Sequence, residues 1–256
     1  MADEILRLIR RENYAILTLN RPEKRNAINQ LMLDGFDRAL TEIEGDPSVR
    51  ALLIQCEGRN FCSGIDLQEA DRHESGKDPS QLETLFGRLE RLPIPTIAAV
   101  RGAAIAGGLQ LALHCDLRIA ADDARMGMTL GRIGLTVPFD FARKLIETIG
   151  APNTNYILFT ADLIDAQRAL AMGMVHEIVN VDDLPPAAIA LAEKIAGNAP
   201  LSMRSLKMIV RRCMRDTFDA EHPDIEEFSA RVRGSADCRE GLRAFVEKRK
   251  PVWSGE

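Results

Sequence analysis

No apolar run in this chain approaches the roughly 20 residues of a membrane span, and the opening MADEILRLIR has no signal-peptide h-region. Cysteine is scarce and odd in number. Cys56, Cys62, Cys115, Cys213 and Cys238 show neither CxxC nor metal-ligand spacing, which points to a reducing cytosol and away from a metal centre. A net charge of −5 with no long basic run argues against nucleic acid as the main partner. The dinucleotide spacing G-x-G-x-x-G, the Gly-Lys-Ser/Thr of a P-loop and the G-x-S-x-G elbow of an α/β hydrolase are all missing. Internal repeats and low-complexity segments are missing too. These absences predict a cytoplasmic protein with no membrane, nucleic-acid or metal partner.

What remains is an ordinary globular composition, 46% hydrophobic and 28% charged, in 256 residues, enough for one large domain or a domain with an appendage. The chain is organised around Ala98 to Ala121, AAVRGAAIAGGLQLALHCDLRIAA. It reads as a buried strand (Thr96 to Val100), a turn at Arg101-Gly102, a small glycine-rich loop from Ala103 to Gly108, a buried helix, and a second strand from Asp116. Gly107 and Gly108 let backbone amides approach a ligand without a Cβ in the way. A helix opening there aims unpaired N–H groups and its positive dipole end at whatever binds, which suits an oxygen anion. The same loop also reads as a tight strand-to-helix turn with no chemistry.

Ile5 to Ile9 and Tyr14 to Asn20 alternate as a hairpin around Arg11-Glu12-Asn13. After the loop NRPEKRNAIN, Asn29 caps a helix with the stripe Leu31, Met32, Phe36, Leu40 and Ile43, stopped by Asp46-Pro47. Val49 to Gln55 reads as a strand, Cys62-Ser63-Gly64 as a turn, Asp71 to Ser80 as a mobile polar segment, and Ser80 to Leu92 as a helix. Pro138 opens a helix running to Ile149; Asp165 caps Ala166 to Met172, Gly173 stops it, and Val175 to Val179 is a strand. Helices follow at 184–197, 201–215, 221–233 and 237–249. The expected organisation is an α/β core, 1–195, followed by a helical region, 196–256.

Several motifs now combine: Asn20-Arg21-Pro22 with Asn26-Ala27, Phe61-Cys62-Ser63-Gly64-Ile65-Asp66-Leu67, and Gly102, Gly107-Gly108 and Cys115-Asp116 with Arg118-Ile119-Ala120. Ala169, Gly173 and Val175 follow, then Glu240-Gly241, Ala244-Phe245 and Lys248-Arg249. In this order the chain resembles the crotonase superfamily, the enoyl-CoA hydratase/isomerase fold, over essentially its whole length. That resemblance implies an α/β spiral of repeated ββα units and a C-terminal helical part that drives homotrimers, often paired into hexamers. It implies no cofactor beyond coenzyme A carried by the substrate, an acyl-CoA thioester. The thioester oxygen is expected between the N–H groups of Ile65 and Gly107, donors typically worth about 2.7–4 kcal/mol each to an oxyanion transition state. The CoA tail is expected along Lys24, Asn26 and Ala27 and along Ser63, Asp66, Leu67 and Gln68, with Phe245 and Lys248 over the adenosine. Lys24 and Lys248 also read as plain surface residues, Phe245 as core, and Arg204, Lys207, Arg211 and Arg212 as a phosphate-facing or a solvated helix face.

The family's hydratases place two glutamates about the double bond. Here Gln110, three residues after Gly107, and Leu130, fourteen after Asp116, stand at those positions. An amide orients water or a carbonyl but is no general base near neutral pH; Leu130 does neither and is expected, from the resemblance, to line the acyl pocket. Asp140 lies loosely where some relatives place a catalytic aspartate, and reads more readily as a first-turn carboxylate favoured by the helix dipole. Asp66 also reads as a cap. His73, in the polar segment beside the expected pocket, is an acid/base candidate, and Glu69 and Glu74 reach the pocket only if that segment folds over it; His114, His176 and His222 read as structural, and Cys62 has no partners for a nucleophile's role. The sequence therefore predicts an enolate-stabilising acyl-CoA enzyme that is not a two-glutamate hydratase. The alternative is a non-catalytic acyl-CoA-binding or assembly subunit.

Overall fold

The structure, a computed structural model, describes residues 5–68, 79–215, 230, 233–249 and 251–252. In chain order its elements are β1 (Leu6–Arg10), β2 (Ala15–Leu19), α1 (Gln30–Glu44), β3 (Leu52–Cys56), α2 (Pro79–Arg91), β4 (Thr96–Val100), β5 (Ala103–Ile105), α3 (Gly107–His114) and β6 (Leu117–Ala121). Then come β7 (Arg125–Gly127), α4 (Phe139–Thr160), β8 (Ile164–Asp165), α5 (Ala166–Ala171), β9 (Glu177–Val179), α6 (Leu184–Ala196), α7 (Pro200–Arg215) and α8 (Ala236–Val246). Most of the expected 221–233 helix, with His222, and the residues Glu69, His73 and Glu74 lie outside the described residues.

The strands form two sheets. A six-stranded sheet runs β1-β2-β3-β4-β6-β9, antiparallel only between β1 and β2, where the expected hairpin sets Arg10 opposite Ala15. Parallel pairs need long crossovers, and α1, α2 and α3 supply them. Because helices cover both faces, the central strands are buried on both sides. Leu52, Ile54, Ala98, Val100 and Ala120 face one core with α1 to α4, while Leu53, Ile97, Ala99, Ile119 and Ala121 face a second. That second core is closed by Leu184, Ala188, Ala192 and Ala196, a stripe at i, i+4 spacing on α6.

A small sheet, β5-β7-β8, is absent from the sequence reading, which took Ala103 to Gly108 as loop throughout. Its strands are two or three residues long, too short for any periodicity to register. Other corrections are local. Leu31 is 62% exposed, because it precedes Met32 by one position and points a quarter-turn off the buried stripe. α1 stops at Gly45, before Asp46-Pro47. The helix read as ending at Ile149 resumes past a break at Gly150 (φ 71°, ψ 160°) and reaches Thr160. The caps hold as expected: Asn29 Oδ1 accepts from Met32 N (3.0 Å), and Asp165 Oδ1 from Arg168 N (2.8 Å).

The parallel order sends the loops after β2, β3 and β4 to one end of the sheet, outside the carboxyl ends of the strands, where such sheets bind ligands. Side chain and backbone stitch these loops together. Asn26 Nδ2 donates to Glu57 O (3.0 Å) and Asn60 O (2.7 Å), and Phe61 N donates to Arg101 O (2.8 Å).

Candidate active site

The site is built from two peptide units brought side by side. The loop after β2 turns through Arg25 (φ 52°) and Asn26 (φ 55°), and the fully buried Asn26 holds it by accepting from Arg21 N at 2.7 Å. Ile28 then bridges in parallel to Ile65: Ile28 N donates to Gly64 O (2.7 Å), and Ile28 O accepts from Asp66 N (2.9 Å). With Ile28 bonded to the peptide groups on both sides of Ile65, the N–H of Ile65 itself faces the opposite edge. On that edge stands Gly107. A methyl group on Gly107 would lie 3.4 Å from Gly64 Cα and 3.6 Å from Ile65 N.

Gly107 is held there from the other side. Cys62 N donates to Ala103 O (2.9 Å) and Ile105 N to Cys62 O (3.0 Å), which ties the loop after β3 to β5. Ala106 N donates to Gly127 O of β7 (3.0 Å), so the small sheet fixes the residue that turns the chain into α3. Ala106 turns it at φ 50°, ψ −113°, a strained conformation for a residue with a Cβ. Gly108 is a glycine for space: a methyl group there would stand 2.1 Å from Cys62 O. Among the described residues, neither Ile65 N–H nor Gly107 N–H has a hydrogen-bond partner, and Gly107 opens α3, where N–H groups have no intrahelical acceptor. Two neighbouring unpartnered N–H groups, one of them at a positive helix end, are the kind of donors that can serve one developing oxyanion.

The remaining expected residues fall around this pair in different roles. Gln110, one turn into α3, is buried, and among the described residues its side-chain amide makes no hydrogen bond. Leu130 begins a 3-10 turn, Leu130–Ile133, partly buried against the core. Asp140 sits in the first turn of α4 with its carboxylate 69% exposed and Arg143 at 3.6 Å. Asp66 is buried: Oδ2 accepts from Arg21 Nη1 (2.7 Å), Oδ1 from Gln68 N (3.2 Å). Lys24 Nζ reaches Gln68 Oε1 (3.2 Å), Ser63 N donates to Arg25 O (3.1 Å), and Ala27 O accepts from Arg21 Nη1 (3.1 Å). Leu67 and Gln68 are helical, with Asp66 capping them through Gln68 N. α8 packs on the Leu130–Ile133 turn, where a methyl group on Gly241 would overlap Ile133 O at 2.0 Å. Phe245 and Lys248 lie on its exposed end.

Two residues escaped the sequence reading. Arg21 was legible only as part of a motif; nothing in its neighbours announces that its guanidinium reaches Asp66, 45 positions on. Lys207 is neither phosphate-facing nor solvated: its ammonium is buried on Asp116 Oδ2 (2.6 Å) and Ile94 O (2.9 Å), clasping α7 to the sheet.

Titratable groups near the site are mostly neutral or paired. Burial pushes the Cys62 thiol up to about 12, and Cys115 likewise, so neither is a thiolate nucleophile. His114 Nδ1 lies 2.7 Å from Gln110 O, and since a carbonyl only accepts, Nδ1 carries the proton. Burial lowers the His114 pKa. Its ring packs against Phe86 and Phe141, with Glu90 Oε2 3.9 Å from Nε2. Burial would raise Glu90, yet Lys144, bonded at 2.9 Å, holds it below the usual carboxylate range. Among the described residues, no cluster of three or more metal-ligating side chains occurs, and no helix is long and apolar enough to cross a membrane.

Comparison with known proteins gives the family. The family model for enoyl-CoA hydratase/isomerase matches residues 10–256. The short-chain-enoyl-CoA hydratase of Clostridium acetobutylicum is 34% identical over 240 residues, covering 92% of each chain. The crotonyl-CoA hydratase of Syntrophomonas wolfei is 32% identical over 254 residues, 98% of each. Among solved structures, a methylmalonyl-CoA decarboxylase superposes over 100% of both chains with a TM-score of 0.88 at 27% identity. The two-sheet α/β architecture is thus the crotonase fold, and this chain belongs to the enoyl-CoA hydratase/isomerase family.

Proposed function

We propose that this protein is an acyl-CoA enzyme that holds a thioester oxygen between Ile65 N–H and Gly107 N–H and stabilises the enolate formed there. The observation that carries this reading is the juxtaposition of Gly107 with Ile65 N, two unpartnered donors on one edge. CoA is read as part of the substrate, running along Lys24, the backbone at Asn26 and Ala27, and Ser63 to Gln68, with Phe245 and Lys248 at its adenosine end.

Among reactions of this kind, decarboxylation of a carboxyacyl-CoA fits best. Hydration requires a group that activates water, and Gln110 and Leu130 occupy both family positions for it. Loss of CO2 needs no base: the C–C electron pair passes directly into the enolate, whose α-carbon then takes a proton from water. Two neutral side chains also spare an incoming carboxylate the repulsion of a fixed one, about 4 kcal/mol at 4 Å in a partly screened site. The superposition on a methylmalonyl-CoA decarboxylase supports the same direction. Asp140, exposed and paired with Arg143, is the weaker candidate for a proton-moving group.

Two measurements test this. Acetoacetyl-CoA, whose enolate mimics the intermediate, should bind with an enolate spectrum that Gly107→Pro, its fold checked by circular dichroism, abolishes. Malonyl- and methylmalonyl-CoA should release CO2 faster than crotonyl-CoA takes up water. Faster hydration would overturn the decarboxylase reading, and binding without turnover would favour the non-catalytic subunit. Self-association into homotrimers or hexamers is proposed as well, supported by Leu206, Met208, Ile209 and Val210 exposed along α7; light scattering reads it directly.

A further inference from the structure

We infer that the Arg21–Asp66 pair is a positioning device that couples the CoA-handling loop to the oxyanion donor, so that engagement of the nucleotide end sharpens the reacting end. The inference rests on the oxyanion reading above. Arg21 and Asp66 belong to the loops after β2 and β3, and their side chains are 11% and 7% exposed. Arg21 Nη1 donates to Asp66 Oδ2 (2.7 Å) and also to Ala27 O (3.1 Å), one nitrogen joining the two loops. Asp66 directly follows Ile65, and its own N–H is bonded to Ile28 O. The carboxylate thus fixes one end of the peptide whose other neighbour, Gly64, is held by Ile28 N. A second link, Lys24 Nζ to Gln68 Oε1 at 3.2 Å, lies on the exposed side of the same junction, where the CoA tail is expected. A displacement of the Arg21–Ala27 loop therefore reaches Ile65 N–H through two covalently adjacent anchors. Binding energy gathered far from the reacting carbon is spent on geometry at that carbon.

The test compares acetoacetyl-CoA with acetoacetyl-pantetheine, which lacks the nucleotide, and reads the enolate-to-ketone ratio of the bound ligand by absorbance at fixed pH. In wild type the ratio should be about tenfold higher for the CoA ligand, within the range of coupling seen between linked sites. In Arg21→Met the two ratios should become equal, and Arg21→Lys should restore part of the difference. Should Arg21→Met fail to fold, Asp66→Asn, which keeps an acceptor for Gln68 N, serves in its place. A merely structural pair would lower stability and leave the CoA-to-pantetheine difference at its wild-type value; that result overturns the inference. No enolate signal from folded wild type with either ligand would instead overturn the oxyanion reading, and the inference with it.

Discussion

Single residues at this site are set by tenths of an ångström. Ala106 adopts its strained turn because Gly127 and Gln110 hold its two peptide groups from opposite sides. Gly108 leaves no room for a side chain against Cys62 O. Gly108→Ala is expected to lose about 1–3 kcal/mol of stability or more from overpacking against backbone, read as a drop in urea midpoint. His114 makes a different prediction. Burial lowers its pKa below the ordinary 6.5, so the folded protein favours the neutral ring while the unfolded chain protonates it. The resulting stability is complete above about pH 6.5 and declines as the pH falls below it. His176, also lowered by burial, adds to the same slope. His114→Leu should flatten the fall in urea midpoint between about pH 7 and about pH 5, and an unchanged slope would show that the ring is not held neutral. Glycines, caps and the small-residue loop are visible in the text of the chain; which oxygen each glycine avoids is not, because Gly108 and Cys62 lie 46 positions apart.

At the scale of elements, helix starts were the most legible feature, since a cap is a local hydrogen bond between neighbours in sequence. Asp165→Ala should cost α5 about 1 kcal/mol and Asp165→Asn only a few tenths, measurable by chemical denaturation. Strands β5, β7 and β8 were illegible for the opposite reason: their stability comes from pairing with distant partners, not from any pattern of their own. Missing them had a functional cost, because β7 is what anchors Ala106 and hence Gly107. The face of α7 was misread where a buried ammonium looked like a surface one. Lys207→Met should release the clasp on Asp116 and Ile94 and cost about 1–3 kcal/mol. Limited proteolysis should then cut the C-terminal region faster than in wild type, whereas an unchanged cleavage rate would mean that α7 is held by packing alone.

Over the whole molecule, the alternation of strands and helices that builds the larger sheet was readable, because an α/β core follows from alternating apolar runs and periodic helices, whereas the meeting of three loops at one sheet end follows from the strand order and was not. The Ile65 half of the proposed oxyanion pair came from resemblance alone; the Ile28 bridge that leaves Ile65 N–H facing the edge where Gly107 stands joins three segments far apart in sequence. The partition of the interior has a further consequence. The core beneath α6 meets the central sheet on the face turned away from α3 and the loops that form the site, and its helix contributes alanines at Ala188, Ala192 and Ala196. Small residues there hold the helix close to the sheet. Laboratory evolution toward heat resistance should therefore gather its neutral or beneficial changes on that flank, leaving turnover untouched, while a library spread over the loops after β2, β3 and β4 should yield mostly inactive clones.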